Sequence, residues 1–248
     1  MKKLIDAEII NNVCVADDIY RLTVRAAIEG KPGQFIQVRL PSDEFTLRRP
    51  FGIASINADQ LTMFYRVVGH GTNYLASLQS GKVINLLGAL GNGFNLTEGK
   101  VLLVGGGLGL APLIFAASES KADVLIGGKN AAEANLWQSE FESLVDELFI
   151  ATDDGSAGFH GFVTELLPEV LSKNKYKTIL TCGPEIMMRR VAAFAKDSGI
   201  SCQVSLEKRM GCGLGACLSC SIDTINGRQK ICKDGPVFNA DDVFYVQS

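Results

Sequence analysis

The chain has 248 residues, 47% of them hydrophobic and 21% charged, the balance of a globular protein long enough for two or three domains. Its formal net charge is −3 and it has no long run of Lys or Arg, which argues against a nucleic-acid or anionic-membrane partner. The start, Met1 to Glu8, meets charges too early to hold the apolar core of a secretory signal.

Residues 1 to 99 carry short segments of β character: Ile19–Val24, Phe35–Leu40, Leu61–Val68 and Lys82–Leu87. Pro32, Gly33, Pro41 and Gly81 punctuate them, and short strands with regular turn signals predict a barrel or sandwich. One helix is expected among them, from Thr72 to about Ser80, with Thr72 as N-cap and Gly81 just past its end.

The style changes over residues 100 to 204. Val101–Val104, Asp123–Ile126, Leu148–Ala151 and Lys177–Thr181 read as buried strands with helical stretches between them. That alternation predicts a parallel α/β sheet with helices on both faces. The apolar stretch Val101 to Ala117 is long enough to raise the question of a membrane span, but it holds Gly105, Gly106, Gly107, Gly109 and Pro112. A strand, a glycine turn and a helix start explain it better. Such a turn brings backbone N–H groups close to a pyrophosphate at a helix N-terminus. Pro112 replaces the third glycine of the dinucleotide fingerprint and is tolerated in a first helical turn. The second strand ends in Ile126-Gly127-Gly128-Lys129, with no ribose-binding carboxylate, so it does not decide between NAD and NADP.

Residues 205 to 248 are rich in Cys and Gly and too few for a large core, which calls for a metal or other staple. Four of the seven cysteines, Cys212, Cys217, Cys220 and Cys232, give C-x4-C-x2-C-x11-C. The first three match the plant-type spacing for a [2Fe-2S] cluster, with the fourth ligand further along. Gly211, Gly213, Gly215 and Ala216 let the loop close tightly and turn N–H groups toward sulfur, with Lys208 and Arg209 just upstream. Zinc is the competing ligand set, but it usually takes C-x2-C pairs, and only Cys217 and Cys220 form one. The other cysteines, Cys14, Cys182 and Cys202, are expected to be small buried hydrophobes.

Arg48-Arg49-Pro50-Phe51-Gly52-Ile53 resembles the flavin-binding strand of the ferredoxin–NADP reductase superfamily. Gly107-Leu108-Gly109-Leu110-Ala111-Pro112 resembles its G-x-G-x-x-P turn, and Thr181-Cys182-Gly183-Pro184, followed by Met187 and Met188, resembles its nicotinamide motif. Three further segments and the C-terminal cysteines narrow the likeness to the electron-transfer subunits of class-B, NAD-linked dihydroorotate dehydrogenases. These segments are Tyr65 to Thr72, Gly88 to Phe94 and Thr152 to Ser156. The likeness spans essentially the whole chain, with Gly52 standing where a hydroxyl residue is frequent and Ala89 where Pro is.

The resemblance implies a β plus α/β architecture. A flavin-binding β-barrel would span 1–99, a parallel-sheet NAD-binding domain 100–204 and a [2Fe-2S] domain 205–248. It implies FAD at Arg49, Pro50, Phe51, Gly52, Phe64, Tyr65, Arg66, Gly71 and Thr72. It implies NAD(H) at Gly105, Gly107, Gly109, Pro112, Cys182, Gly183 and Pro184, and cluster ligation by Cys212, Cys217, Cys220 and Cys232. Arg49 would neutralise a flavin phosphate. His70 reads as a turn residue, with a proton donor as the sharper alternative. The implied partner is an FMN-containing catalytic subunit in a 2+2 heterotetramer of cytoplasmic pyrimidine biosynthesis. Electrons would run from that FMN through the cluster and FAD to NAD+.

The small subunit of an NADH-dependent ferredoxin–NADP oxidoreductase or of a sulfide dehydrogenase shares this layout. A non-catalytic redox sensor and a zinc-stabilised binding module are alternatives of other classes.

Overall fold

The computed structural model describes residues 3–96 and 98–246. Its first half is one antiparallel sheet built from β1 (Lys3–Ala16), β2 (Ile19–Arg25), β3 (Phe35–Arg39), β4 (Arg49–Gly52), β5 (Ser55–Asn57), β6 (Gln60–Arg66) and, after helix α1 (His70–Ser77), β7 (Val83–Leu90). The strand order is β4-β3-β7-β1-β2-β6-β5. Alternate residues point inward, as a sheet with one buried face requires. Leu22 and Val24, Ile36 and Val38, Leu61 and Met63, and Ile84 and Leu86 are all shut away from solvent in one cluster.

The two edge strands are consecutive in the chain. Ile53 and Ala54 join them, the N–H of Ile53 donating to the Gln34 carbonyl and that of Ala54 to the Thr62 carbonyl. The sheet therefore curls until its edges meet, but among the described residues no ladder pairs β4 with β5. The two bonds run to the β3 and β6 sides, so the expected barrel is replaced by a curled sheet whose seam is crossed by the chain itself. β1 was not among the predicted strands. Its doublets Ile9-Ile10 and Asn11-Asn12 break the alternation, and the register against β2 slips at that point.

The predicted helix starts earlier than its sequence signals say. α1 runs from His70 to Ser77 with Gly69 as its N-cap. Thr72 lies in the first turn, where its hydroxyl accepts from the N–H groups of Val68 (3.0 Å) and Gly69 (3.2 Å). Gly69 has no side chain to reciprocate, so only half of a capping box forms. Gly81 sits beyond the helix in a separate turn with φ +86°.

The second half alternates as predicted: β8 (Val101–Gly106), α2 (Ala111–Ser118), β9 (Ala122–Gly128), α3 (Ala131–Phe141), β10 (Leu148–Thr152), β11 (Phe159–His160), α4 (Val163–Lys173), β12 (Thr178–Cys182), α5 (Glu185–Asp197) and β13 (Ser201–Ser205). Successive residues of β8 show why helices cover both faces. Val101 and Leu103 pack with Leu113 of α2 and Trp137 of α3, while Leu102 and Val104 pack with Val163 of α4 and Val191 of α5. The apolar stretch 101–117 is a strand, a short 3-10 turn and a helix of eight residues. Among the described residues no helix is long and apolar enough to cross a membrane.

The Cys-rich segment forms the hairpin β14 (Ser221–Thr224) and β15 (Gly227–Lys230), then α6 (Ile231–Asp234), β16 (Val237–Asn239) and α7 (Ala240–Phe244). Its described residues form no separate core. β16 adds an antiparallel edge to the otherwise parallel sheet by pairing with β13. Cys220, Ile231, Cys232 and Phe238 share one apolar cluster with Phe35 and Leu90 of the first sheet and Val204 of the second. The segment is thus wedged between the two sheets.

At the strand ends away from the glycine turn, Asp123 of β9 is fully buried. It takes an ion pair from Lys100 Nζ (2.9 Å) and hydrogen bonds from the Tyr176 hydroxyl (2.7 Å), Asn174 Nδ2 (3.2 Å) and the Glu147 N–H (3.0 Å). Breaking a buried pair from one side strands the other partner. Asp123→Ala is therefore expected to cost about 3–5 kcal/mol in urea unfolding, and Asp123→Asn, which keeps an acceptor, less.

Candidate functional site

A cleft of about 760 Å³ opens along the carboxyl ends of β8, β9, β10 and β12. Open α/β sheets hold ligands in this position. Two glycines of the β8 turn are there for packing. A Cβ on Gly105 would lie 2.5 Å from Leu110, and one on Gly109 would lie 2.4 Å from the Cys182 carbonyl oxygen. Gly107 takes the left-handed conformation, φ +57°. The turn is therefore pressed against the end of β12, where Gly105 and Cys182 are register partners. Beyond Cys182, Gly183 has φ +148°, and a Cβ there would meet Met187 at 2.8 Å.

Of the residues predicted for NAD, Gly107, Gly109, Gly183 and Pro184 line the cleft. Gly105, Pro112 and Cys182 do not; they sit behind its wall and shape it. Cys182 is fully buried, and burial followed by the charge of Glu207 holds its thiol well above the usual range. Glu207 is exposed at the edge of the cleft, and the loss of solvent on its protein side raises its carboxyl above the ordinary carboxylate range.

Several lining residues escaped the sequence reading. A carboxylate in the first turn of α3 also lines the cleft, and it serves the protein rather than a ligand. Glu133 accepts from the Lys129 N–H (3.1 Å) and pairs with Arg66 Nη2 (2.6 Å), so both its oxygens are engaged. Asp153, just past the end of β10, is exposed and lines the cleft. It belongs to the quoted segment Thr152 to Ser156, and that was its only signal.

Arg49, Pro50, Phe51 and Gly52 form β4. An edge strand tolerates a proline because its missing N–H costs no ladder bond. The Arg49 guanidinium lies over the Phe45 ring, 4.9 Å from its centroid. It is also packed so closely on Gly71 that a Cβ there would sit 2.3 Å from Nη2. The Arg49 guanidinium and the N-terminal turn of α1 therefore converge, as an anion site requires. Arg48 instead ties down the strand, donating to the carbonyls of Gln37 (3.2 Å) and Asn85 (3.1 Å). Gly52 faces Pro112, whose ring a Cβ would touch at 3.3 Å, so the first-sheet motif and the glycine turn meet here.

The side chains of β6 divide. Phe64 is buried against Trp137 (5.2 Å between ring centroids). Tyr65 is buried between Tyr20 and Phe51 and donates to Asn12 Oδ1 (2.9 Å). Both side chains are spent on the core, and only Arg66 reaches the cleft. His70 starts α1, exposed beside Phe45.

The four C-terminal thiols fall into two pairs. Cys212 and Cys217 are within hydrogen-bonding reach of each other, and so are Cys220 and Cys232. Among the described residues no three His, Cys, Asp or Glu side chains converge on a point where one metal ion could sit. Two irons bridged by sulfide take two thiolates each, and the thiols here are already arranged in twos. The donor set therefore fits a two-iron cluster.

Backbone N–H groups already aim at the sulfurs: Leu214 and Cys217 donate to Cys212 (3.4 and 3.3 Å), Cys212 to Cys217 (3.4 Å) and Gly215 to Cys232 (3.2 Å). Gly213 (φ +67°) and Gly215 (φ +82°) make the left-handed turns that this requires. The Ser219 hydroxyl, then the Cys212 N–H, bring the Cys217 thiol down to about 6. At Cys212 burial opposes ionisation, but the N–H groups of Cys217 and Leu214 outweigh it. Burial, then the neighbouring Cys220, push Cys232 up to about 12. Lys208 donates to the Ser221 carbonyl (2.7 Å) and Lys230 to that of Gly215 (2.8 Å), so both brace the loop's backbone. Of the remaining cysteines, Cys182 and Cys202 are buried as expected, but Cys14 is exposed. It lies on β1, at the second slip in register against β2, where alternation no longer tells inside from outside.

A family model described as the iron–sulfur cluster binding domain of dihydroorotate dehydrogenase B matches residues 207–244. The dihydroorotate dehydrogenase B (NAD(+)) electron transfer subunit of Clostridium acetobutylicum is 40% identical over 237 residues, 93% of this chain and 93% of that one. Its counterpart in Clostridium perfringens is 37% identical, covering 92% and 93%. A solved structure of an NADH-dependent reduced ferredoxin–NADP oxidoreductase, described for flavin-based electron bifurcation, superposes with a TM-score of 0.85. It does so at 29% identity, over 96% of this chain and 89% of that one.

The close seat of the glycine turn on β12 has a measurable consequence. In Gly109→Ala the new methyl must displace the Cys182 carbonyl. Overpacking of this kind costs about 1–3 kcal/mol, seen as a lower urea midpoint. An unchanged midpoint would contradict the packing described.

Proposed function

Because the chain belongs to the family of electron-transfer subunits of NAD-linked dihydroorotate dehydrogenase B, we propose that it passes electrons from a catalytic partner subunit to NAD+ through a [2Fe-2S] cluster and FAD. Nicotinamide exchanges a hydride, the cluster one electron at a time, and a flavin either, which fixes the order of the carriers. The observation that carries the reading is the pairing of four thiols on a loop whose N–H groups point at sulfur, wedged between the two sheets.

The chain's own residues divide the work. Cys212 and Cys217 would hold one iron, and Cys220 and Cys232 the other. Arg49 and the first turn of α1 would neutralise and bind the FAD pyrophosphate, with Gly71 leaving the room and Thr72 fixing the turn. Pro50, Phe51 and Gly52 would back the flavin ring. Phe64 and Tyr65 would act from the core, keeping β6 straight beneath it. Gly107, Gly109, Gly183 and Pro184 would receive the nicotinamide nucleotide, on a wall shaped by Gly105, Pro112 and Cys182. The Arg66–Glu133 pair ties the flavin sheet to the nucleotide sheet. In this division 1–99 serves FAD, 100–204 serves NAD and 205–248 holds the cluster.

The finer parts of the proposal concern the partner. We assign it the FMN and the dihydroorotate site, in a 2+2 heterotetramer of pyrimidine biosynthesis, and place the assembly in the reducing cytoplasm, where the thiols stay available to iron. The TM-score of 0.85 keeps a second reading open, the small subunit of an NADH-dependent ferredoxin–NADP oxidoreductase. Co-purification separates the two: an FMN-bearing barrel partner supports the first, a large FAD and [4Fe-4S] partner the second.

The isolated chain, loaded anaerobically, is expected to oxidise NADH with artificial acceptors and to leave dihydroorotate untouched; dihydroorotate turnover by this chain alone would overturn the assignment. The cleft also favours NAD over NADP. The β13 end leads through Glu207 to the cluster loop, which makes the β10 end the adenosine end, and Asp153 stands there. A carboxylate accepts from a ribose diol and repels a 2′-phosphate. Asp153→Asn is expected to raise the ratio of kcat/KM for NADPH over NADH about tenfold. An unchanged ratio would remove Asp153 from the site.

A further inference from the structure

Gln37 of β3 is fully buried. Its neighbours Ile36 and Val38 point into the core of the first sheet, so its own side chain leaves by the opposite face, toward the Cys-rich segment. There its Nε2 reaches Met210 Sδ (3.7 Å) and presses on Gly213: a Cβ on that glycine would lie 2.4 Å from Nε2. Among the described residues its Oε1 has no hydrogen-bond partner.

A buried amide oxygen without a donor is costly, and an apolar side chain of the same length would fill the space without that cost. The N–H end is the end that is used, since it faces the sulfur-bearing loop. Gly213 directly follows Cys212, and the next two N–H groups are those aimed at Cys212 and Cys232. Whatever holds Gly213 therefore aims two of the donors that set the electron density on sulfur. On its own strand Gln37 is the register partner of Pro50, in the middle of β4. The side chain of Gln37 thus ties the loop read as cluster-binding to β3, the strand that ladders with the one read as flavin-binding.

We propose that Gln37 is a positioning residue for the iron–sulfur cluster: it clamps the Gly213 turn to the flavin-side sheet, turns the positive end of its amide dipole toward the thiolates, and thereby raises the cluster's reduction potential. The proposal rests on the functional reading above.

The test uses the whole chain, purified anaerobically with FAD and iron, as wild type, Gln37→Met (same length, no dipole) and Gln37→Glu (same shape, a carboxyl in place of the amide). The midpoint of the cluster is read by redox titration followed by electron paramagnetic resonance, with the FAD midpoint as internal reference. The expected result is a lower cluster midpoint in both variants against an unmoved FAD midpoint, or loss of iron with FAD and fold retained. A loaded cluster with the wild-type midpoint in both variants overturns the proposal. Failure of both variants to fold also overturns it, because it would make Gln37 a packing residue. Wild-type chain without iron and sulfide would instead sink the functional reading on which the proposal stands.

Discussion

The constraint on which the molecule depends is the approach of thiols in twos rather than in fours. A loop that brought all four cysteines to one point would make a zinc site, chemically inert to electron transfer. Here Cys212 and Cys217 face each other at the more open side of the segment, and Cys220 and Cys232 at its buried side. The loop between them is closed by left-handed glycines and braced by Lys230. None of this is held by a core of the segment's own. The surrounding sheets hold it, through β16 on one side and the outer face of β3 and β7 on the other.

The same economy governs the other two sites. Each uses a close approach at a glycine: Gly71 under the Arg49 guanidinium, Gly52 against Pro112, and, with no room at all for a side chain, Gly109 on the Cys182 carbonyl. These contacts bring together segments far apart in sequence. Two of them lie on the join between the sheets or beside it, where the Arg66–Glu133 pair also crosses. An electron carrier gains from such rigidity, because transfer between fixed centres needs little rearrangement of the protein around them. The buried Asp123 network does the corresponding work at the far ends of the strands, away from any ligand.

Much of this was legible in the sequence because the features are local. The cysteine spacing, the glycine turn between β8 and α2, and the strand–helix alternation each encode their own geometry within a few residues. What was not legible depends on partners distant in the chain. Nothing near Phe64 says that it packs on Trp137, and nothing near Gln37 says that it meets Gly213. Nothing near Glu133 says that it pairs with Arg66, 67 residues away on the other sheet. Thr72 looked like an N-cap, and the hydroxyl does serve the helix start, but from inside the first turn. The barrel expected from short strands and turns became a curled sheet with an unladdered seam, since alternation specifies which face is buried and not whether the last two strands pair.

The central claim is that two thiol pairs hold a two-iron cluster. Metal and sulfide analysis of the chain, purified without exposure to air, tests it most directly. The account predicts iron and acid-labile sulfide in equal amounts, about two of each per chain, with no zinc. A single zinc per chain without sulfide would contradict it.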